Sequence, residues 1–471
     1  MSRYISRSRP GSLHWRARGA AAGLALTGAV ALSLTFGVTG IAVLAGAASL
    51  TIAGYLALRR FALFVGLLLV IRPALDVGRV GPIVGVGFLM VGVAWLFVRW
   101  RSASLWPPSP IGRALLCFAG VCTASSLWSP VHGTSFAAGM KVLTVALMFV
   151  VVEQLVLDEP GNVQWLLVTP LVSLIIPAAF AAYQLVTGPS RGAFVAVGRI
   201  QGTFTHPNPF ANYLVVVAVI AYGVRRVVSP AGTRLTIAVG LLAASLVLLT
   251  YARVAWAALL VALMIMILRD SRRLMLAFVC IVVLVGVTVP SIRTRLSDLD
   301  TSTAPPTLQA AEANSLAWRV DYWKRLGPEI ARLPLTGSGL ESTQLTRVER
   351  LQPHNTYLQV LLETGVLGLV GFGWVLVSML RRARFLASHA REPWDRAIAN
   401  VCIGVGSAYV LAMFTENLVT TVAVLWYVFL PFAVAASPVA ALVNGEQRVR
   451  TRRALMELPD LSASGTFAAR A

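Results

Sequence analysis

Residues 82–100 read PIVGVGFLMVGVAWLFVRW, an apolar run whose first charged side chain is Arg99. A run of about 20 such residues is long enough to cross the hydrocarbon layer of a bilayer as a helix. Similar runs recur throughout the 471-residue chain, which is 57% apolar and only 13% charged. Lipid offers no hydrogen-bond partners to backbone amides, so each of these runs must be helical. The sequence therefore predicts an all-α, polytopic membrane helical bundle.

Hydropathy predicts about 12–14 transmembrane helices across the chain. The short run near 61–72 would also fit a re-entrant segment. The other candidate spans lie near 20–36, 40–58, 82–100, 111–129, 135–157, 163–187, 209–226, 235–251, 253–268, 274–292, 356–380, 397–415 and 418–437.

The formal net charge of +21 is concentrated in short arginine clusters between the apolar runs. These clusters, of which Arg225–Arg226 is one, recur on alternate connections, as expected for loops that stay in the cytoplasm. This rule places both termini in the cytoplasm and the segments 188–208 and 293–353 outside. Because the basic residues are not interleaved with aromatic residues on a soluble patch, a nucleic-acid partner is not expected.

The predicted topology divides the chain into segments. They are a cytoplasmic basic arm (1–18), an N-terminal transmembrane bundle (19–292), an extracytoplasmic loop subdomain (293–353), C-terminal transmembrane helices (354–437) and a cytoplasmic tail (438–471). Within the loop, SLAWRVDYWKRLGPEIARL (315–333) places apolar side chains at helical spacing. One or two short surface helices are therefore predicted there.

The residues that bind metals in proteins are scattered in this sequence. The four cysteines fall inside apolar runs without a paired CxxC spacing, and the five histidines form no cluster. Asp298 and Asp300 have the DxD spacing of metal-dependent transferases, but their stretch has no phosphate-site features. Buried cysteines that behave as small apolar residues are the simpler interpretation. Neither a metal ion nor another cofactor is expected.

Four polar features stand out from the apolar background, and the predicted topology places all of them outside. They are Arg199 and Asn208 in GRIQGTFTHPNPFANYL (198–214), Arg253 in TYARVAW (250–256), Arg319 with Trp323 in the long loop, and His354 with Asn355 in PHNTYLQVLLETGVLGLVGF (353–372).

Three guanidinium groups and one imidazole on the same side would suit a polyprenyl diphosphate. Arginine presents a planar fork that matches phosphate oxygens and stays charged. Fixed cations also stabilise the charge that develops on a departing diphosphate. An imidazole titrates near neutrality, so His354 would be able to take a proton from an acceptor hydroxyl.

Each feature also has a structural interpretation that the sequence leaves open. Arg199 would serve equally as a solvated loop charge, and Arg253 would reach the interface by snorkelling, although a charge at membrane depth is usually functional. Asn355 would cap the helix that follows. Asn208, which lies between two prolines, would simply form a turn.

In combination, these motifs resemble the O-antigen ligase and polymerase superfamily over roughly residues 195–415. The sequence matches the elements of this family in order. They are an upstream R–G–F–xPN element, an arginine after an apolar run, RxxxW and GxG elements, and the pattern HNxxLxxxxExGxxG. The matching residues are Arg199, Gly202, Phe204, Pro207 and Asn208; Arg253; Arg319, Trp323, Gly337 and Gly339; and His354, Asn355, Leu358, Glu363, Gly365 and Gly368.

The resemblance implies a GT-C-like, metal-independent, inverting glycosyltransferase in the bacterial cytoplasmic membrane. Its donor would be a glycan on undecaprenyl diphosphate, and its acceptor a hydroxyl of a glycan, lipid or protein. By carry-over, Arg199 and Arg253 would bind diphosphate, Arg319 would bind diphosphate or position the donor, and His354 would activate the acceptor. Supporting roles fall to Asn208, Asn355, Trp323 and Glu363, the last being structural.

Two rival functions are compatible with a polytopic protein that handles a polyprenyl-linked substrate. A peptidoglycan-type glycosyltransferase would be expected to carry an acidic loop motif that has no good match here. A transporter or flippase of lipid-linked oligosaccharide would be expected to place charges along an interior path. The cations singled out here as candidate site residues are predicted to lie outside instead, and Lys141, Glu363 and Glu416 are the charges predicted to lie deeper.

Overall fold

The structure is a computed structural model that describes residues 51–76, 81–102, 104–105, 107–188, 198–288, 316–343 and 352–435. Within these ranges the regular structure is helical, and none of them contains a strand. The all-α fold class is therefore confirmed. The basic arm (1–18), the span near 20–36, the loop residues 293–315 and the tail (438–471) lie outside the described residues.

The helices in chain order are α1 (Phe61–Ile71), α2 (Gly81–Arg101), α3 (Pro110–Ala124), α4 (His132–Asp158), α5 (Asn162–Ser173), α6 (Ile175–Thr187), α7 (Pro207–Val224), α8 (Pro230–Leu249), α9 (Arg253–Asp270), α10 (Arg272–Thr288), α11 (Leu316–Arg332), α12 (Thr356–His389), α13 (Pro393–Ala412) and α14 (Val422–Val434). Short 3-10 turns follow α1 at Arg72–Ala74 and α3 at Ser125–Leu127.

The chain divides after Val65 into two compact units. In the first unit, the described residues 51–65 contain a helical stretch over 51–59 and the beginning of α1. The second unit, Gly66–Ala471, contains the rest of α1 and all helices from α2 to α14.

Several described helices are long and apolar enough to cross a membrane, and the chain is a multi-pass membrane protein. By length and composition the candidates are Gly81–Arg101, Pro110–Leu127, His132–Asp158, Asn162–Thr187, Pro207–Val224, Pro230–Leu249 and Thr356–His389. Two shorter helical stretches, Phe61–Ala74 and Val422–Val434, are also apolar. The total of 12–14 spans therefore stays a prediction.

The predicted single helix over 163–187 is two helices, because α5 ends at Ser173 and α6 begins at Ile175. Pro177 has no backbone N–H to donate to the Ser173 carbonyl, which removes a hydrogen bond that a continuous helix needs. The break lies inside one apolar stretch, Asn162–Thr187, that is still long enough to span a membrane.

The interior of the second unit is formed around α14. Every residue from Ala423 to Val434 is buried, and this helix packs against α4, α7 and α13. A helix that is apolar on all sides is expected inside a bundle. By contrast, α2 and α8 expose apolar side chains such as Ile83 and Leu241. These faces suit contact with lipid.

One surface helix predicted within 293–353 is present as α11. Tyr322, Leu326 and Ile330 of α11 pack against Leu362 of α12. This contact docks the described part of the long loop onto the bundle, beside the residues that precede α12.

Candidate active site

Helices α7, α9 and α12 begin close together at one end of the bundle, and α13 runs in the opposite direction to end there. The hydroxyl of Thr356, the first residue of α12, donates to the Glu416 carbonyl at 2.6 Å, just beyond α13. An N-terminus of a helix favours anions, because its unpaired N–H groups and dipole present positive charge. Three such N-termini therefore face this region.

Arg199 ties the start of α7 to the corner before α9. Its Nε donates to the Thr250 carbonyl at 2.7 Å, and its Nη2 donates to Asn208 Oδ1 at 2.7 Å. Asn208 Nδ2 in turn donates to Glu416 Oε1 at 2.9 Å. Arg199 is half-buried and belongs to a network that reaches from α7 to the residues after α13.

Arg253 is the first residue of α9 and lies three positions after the Thr250 carbonyl that Arg199 binds. The corner between them is sharp, since Tyr251 has a φ of 54°, in the left-handed region. The Thr250 hydroxyl accepts a hydrogen bond from Ala252 N at 3.3 Å. The corner thus places the half-buried Arg253 at the same end of the bundle as Arg199.

Arg319 and Trp323 lie one turn apart on α11, and both bind backbone carbonyls at this end. Arg319 Nη1 donates to the Thr415 carbonyl at 3.0 Å, next to Glu416. Trp323 Nε1 donates to the Pro353 carbonyl at 2.6 Å, next to His354. Burial lowers the pKa of the Arg319 guanidinium, and the nearby Glu416 carboxylate opposes this change.

His354 and Asn355 directly precede α12, and they differ in their backbone conformation and in their role at the start of this helix. Asn355 is the N-cap, whose Oδ1 accepts from Leu358 N at 3.0 Å, as its structural interpretation predicted. His354 has a φ of 47°, a conformation that few residues other than glycine adopt. Burial lowers the pKa of its imidazole to about 4, and the positive charge of Arg319 adds to this effect.

His206 and Glu416 also belong to the cluster, although sequence reasoning gave neither a role at the site. His206 caps α7 by accepting from Asn208 N at 3.0 Å, and burial, with Arg199 and His354 nearby, lowers its pKa to about 4. Burial raises the pKa of Glu416 to about 7 against the opposing effects of Arg319, Asn208 and Arg199. The sequence feature that could have identified Glu416 is an acidic residue at the end of an apolar run, where a charge is usually functional.

Glu363 is fully buried and holds the loop that contains the GxG element. Its carboxylate accepts from Glu341 N at 2.8 Å, from Gln359 Nε2 at 3.1 Å and from Thr343 N at 3.4 Å. Its own carbonyl accepts from Gly339 N at 2.8 Å. These bonds agree with a structural role, and they bind the loop to the first turns of α12.

Part of the sequence that forms this end is similar to a known protein family. A family model described as O-antigen ligase matches residues 238–373, less than a third of the chain. Over these residues the chain is similar to the O-antigen ligase family, and we call residues 238–373 the matched region. No curated protein matches the chain.

The matched region contains some of the clustered residues and not others. Arg253, Arg319 and His354 lie within it, whereas Arg199 and Glu416 lie outside it. Contacts across the boundary of this region, such as that of Arg199 with Thr250, complete the cluster. The cluster is thus assembled from residues inside the matched region and from residues on both sides of it.

The cluster combines groups that bind anions with groups that accept protons. Arg199 and Arg319 supply guanidinium groups, while His206 and His354 are neutral at physiological pH because burial lowers the pKa of each to about 4. Among the described residues, no group of three or more His, Cys, Asp or Glu side chains is placed to hold a metal ion. Arginines and helix N-termini supply positive charge among the described residues of this end.

Proposed function

We propose that the chain is a membrane glycosyltransferase that moves or polymerises glycan from a polyprenyl-diphosphate-linked donor onto an acceptor hydroxyl. The match of residues 238–373 to the O-antigen ligase family supports a glycan ligase or polymerase in general. The observation that carries the finer proposal is the meeting of Arg199, Arg319 and His354 where three helices begin.

The arginines are assigned to the diphosphate. A polyprenyl diphosphate carries two to three negative charges, which Arg199, Arg253 and Arg319 would balance. Guanidinium groups bind phosphate oxygens in a bidentate manner, and cations fixed by the fold stabilise the leaving group without reorganisation. The anchoring of Arg199 and Arg319 to backbone carbonyls supports this assignment, because it holds both groups in place before the donor arrives.

His354 is assigned to the acceptor. A neutral imidazole accepts the hydroxyl proton as the acceptor oxygen attacks the anomeric carbon, while the bond from that carbon to the diphosphate oxygen breaks. Attack from the face opposite the leaving diphosphate inverts the anomeric configuration. The low pKa of His354 supports this role, because it keeps the imidazole unprotonated at neutral pH.

The reaction is assigned to the outer face of a bacterial cytoplasmic membrane. The arginine-rich connections after α7, α9 and α12 lie at the opposite end of the bundle from His354, and the positive-inside rule places such connections in the cytoplasm. In this orientation the acceptor is a glycan, lipid or protein outside the cytoplasm, and the donor approaches from the membrane.

Reconstitution with a radiolabelled lipid-linked oligosaccharide tests the proposal. The full chain in proteoliposomes is expected to transfer label to an added acceptor, and the matched His354→Gln variant is expected to transfer almost none. Movement of labelled donor between leaflets without formation of a glycosidic bond would show a transporter and contradict the proposal. Growth of a lipid-linked repeat would identify a polymerase, and transfer to a different acceptor would identify a ligase.

A further inference from the structure

A second polar region lies at the opposite end of the helices that hold the candidate active site. Helix α7 has 18 residues, so its ends are about 27 Å apart at 1.5 Å per residue. Tyr222 near its end, Asp270 at the end of α9 and Pro393 at the beginning of α13 line a cavity of about 740 Å³. Ligand sites in proteins are typically about 300–1,000 Å³, so this cavity is large enough for a small molecule.

The lining of this cavity is strongly basic. Four arginines and one aspartate give it a net charge of +3, and we name these residues the arginine pocket. They are Arg225, Arg226, Arg269, Arg396 and Asp270.

One arginine of the pocket is fixed by its neighbours and belongs to the framework. Arg225 Nη2 donates to Asp270 Oδ2 at 2.5 Å, and its guanidinium carbon lies 3.5 Å from the centre of the Tyr222 ring. The Tyr222 hydroxyl donates to the same Asp270 oxygen at 2.8 Å. Arg225 and Tyr222 thus both bind Oδ2 of Asp270, and this one carboxylate cannot neutralise four arginines.

Each of the other three arginines has a polar contact within the described part of the chain and also has further N–H donors that a ligand would be able to use. Arg226 is 3.3 Å from Asp270 Oδ1, with 57% of its side chain exposed. Arg269 Nε donates to Asn400 Oδ1 at 2.9 Å, and Arg396 Nη2 donates to the Arg391 carbonyl at 2.7 Å. Three guanidinium groups around one cavity form a receptor for a phosphate group.

We infer that the arginine pocket binds the phosphate headgroup of an anionic glycerophospholipid. The apolar side chains of Met264 and Leu268 are exposed on α9, one turn apart, and Leu268 directly precedes Arg269. The helix that carries Arg269 thus exposes apolar side chains within about two turns of the pocket. An acyl chain, which free phosphate lacks, would contact such a surface. By the positive-inside rule this end faces the cytoplasm, where an anionic leaflet attracts basic residues.

The binding of phosphatidylglycerol to the purified full chain, measured by native mass spectrometry in zwitterionic detergent, tests this inference. The variant Arg226→Gln/Arg269→Gln/Arg396→Gln is expected to lower the affinity by about tenfold or more, since each arginine near a lipid headgroup adds to binding. Arg226→Gln alone is expected to lower it about fivefold on the same basis. Because Arg226 is exposed, this single variant keeps the test valid if the triple variant does not fold.

The variant Arg101→Gln/Arg325→Gln/Arg332→Gln removes the same charge from residues outside the pocket and serves as the matched control. It is expected to change the affinity less than about twofold, because distant surface charges are screened. Equal losses in both triple variants, or no loss in the pocket variants, would overturn the inference. Inorganic phosphate that displaces phosphatidylglycerol at an equal concentration would show a soluble phosphate ligand and overturn the lipid assignment.

Discussion

Asn208 Nδ2 donates to Glu416 Oε1 at 2.9 Å, although 208 positions separate the two residues in the chain. The other end of the same amide accepts from Arg199. The side chain of Asn208 therefore bridges the cation Arg199 and the acid Glu416, which lie on different segments. Loss of Asn208 or of Glu416 is expected to disturb the position of Arg199, and with it the proposed binding of a donor diphosphate.

The coupling between Asn208 and Glu416 is expected to appear in a double-mutant cycle. Asn208→Ala and Glu416→Ala should each reduce the transfer rate, and the double variant should lose less than the product of the two single losses. Residues in one hydrogen-bond network usually couple by about 0.5–3 kcal/mol. Transfer by the four purified proteins measures the coupling. Independent, multiplicative losses would show that this contact does not position Arg199.

The pH dependence of stability is expected to report on Glu416. Burial raises its folded-state pKa to about 7, whereas an exposed glutamate titrates near about 4.3. The folded protein thus holds this proton more tightly than the unfolded chain. The stabilisation is complete below the unfolded pKa and is lost as the pH rises through about 7.

Thermal unfolding of the wild type and of Glu416→Gln between pH 5 and pH 8 isolates this contribution. The glutamine keeps an oxygen that accepts from Asn208 and cannot ionise. The unfolding midpoint of the wild type is expected to fall more steeply with rising pH than that of the variant. Parallel curves would contradict the raised pKa.

His354 is expected to be essential for transfer and dispensable for folding. Both His354→Ala and His354→Gln should reduce the transfer rate by a factor of about 10²–10⁴, the usual contribution of a general base. The left-handed backbone at position 354 is unfavourable for histidine, alanine and glutamine alike, so neither substitution adds a new backbone cost. The unfolding temperatures of both variants should therefore stay near that of the wild type. Wild-type transfer rates in either purified variant would remove His354 from the mechanism.

Arg253→Lys is expected to weaken donor binding without reducing the amount of membrane protein. A lysine offers a point charge in place of the planar fork that binds a diphosphate. The affinity for the lipid-linked donor, measured beside Arg332→Lys on the exposed end of α11, tests this role. If the Arg253→Lys variant binds donor as well as the wild type, Arg253 serves as an interfacial charge, as its snorkelling interpretation states.

The helices were the part of the fold that hydropathy predicted best, because a span needs a continuous run of apolar residues. Their irregularities were harder to predict. The break between α5 and α6 depends on Pro177, and hydropathy does not register it. Similarly, the predicted helix 356–380 extends to His389, because backbone hydrogen bonds continue beyond the point where arginines begin.

The sequence singled out Arg199, Arg319 and His354 as residues of one side, and the described contacts bring them to one end of the bundle. Their catalytic roles stay predictions. The partnership of Asn208 with Glu416 was not predictable, since no local pattern joins residues so distant in the chain. Likewise, the role of Trp323 in holding Pro353 depends on how α11 docks on α12.

The last prediction concerns the kink of α12 at Gly365, where φ is 65° and ψ is −166°. This conformation is essentially restricted to glycine. A Cβ on Gly365 would lie 2.3 Å from the Leu335 backbone, which cannot move aside easily because Leu367 N donates to the Leu335 carbonyl at 3.2 Å. Gly365→Ala is therefore expected to lower the unfolding temperature and to displace the loop that Glu363 holds.

Gly373→Ala is the matched control in the same helix, since nothing lies within 4 Å of a Cβ built at this position. Alanine replaces glycine favourably in a helix by about 1 kcal/mol, so this control should be neutral or slightly stabilising. Equal unfolding temperatures for the two variants would contradict a structural requirement for the kink.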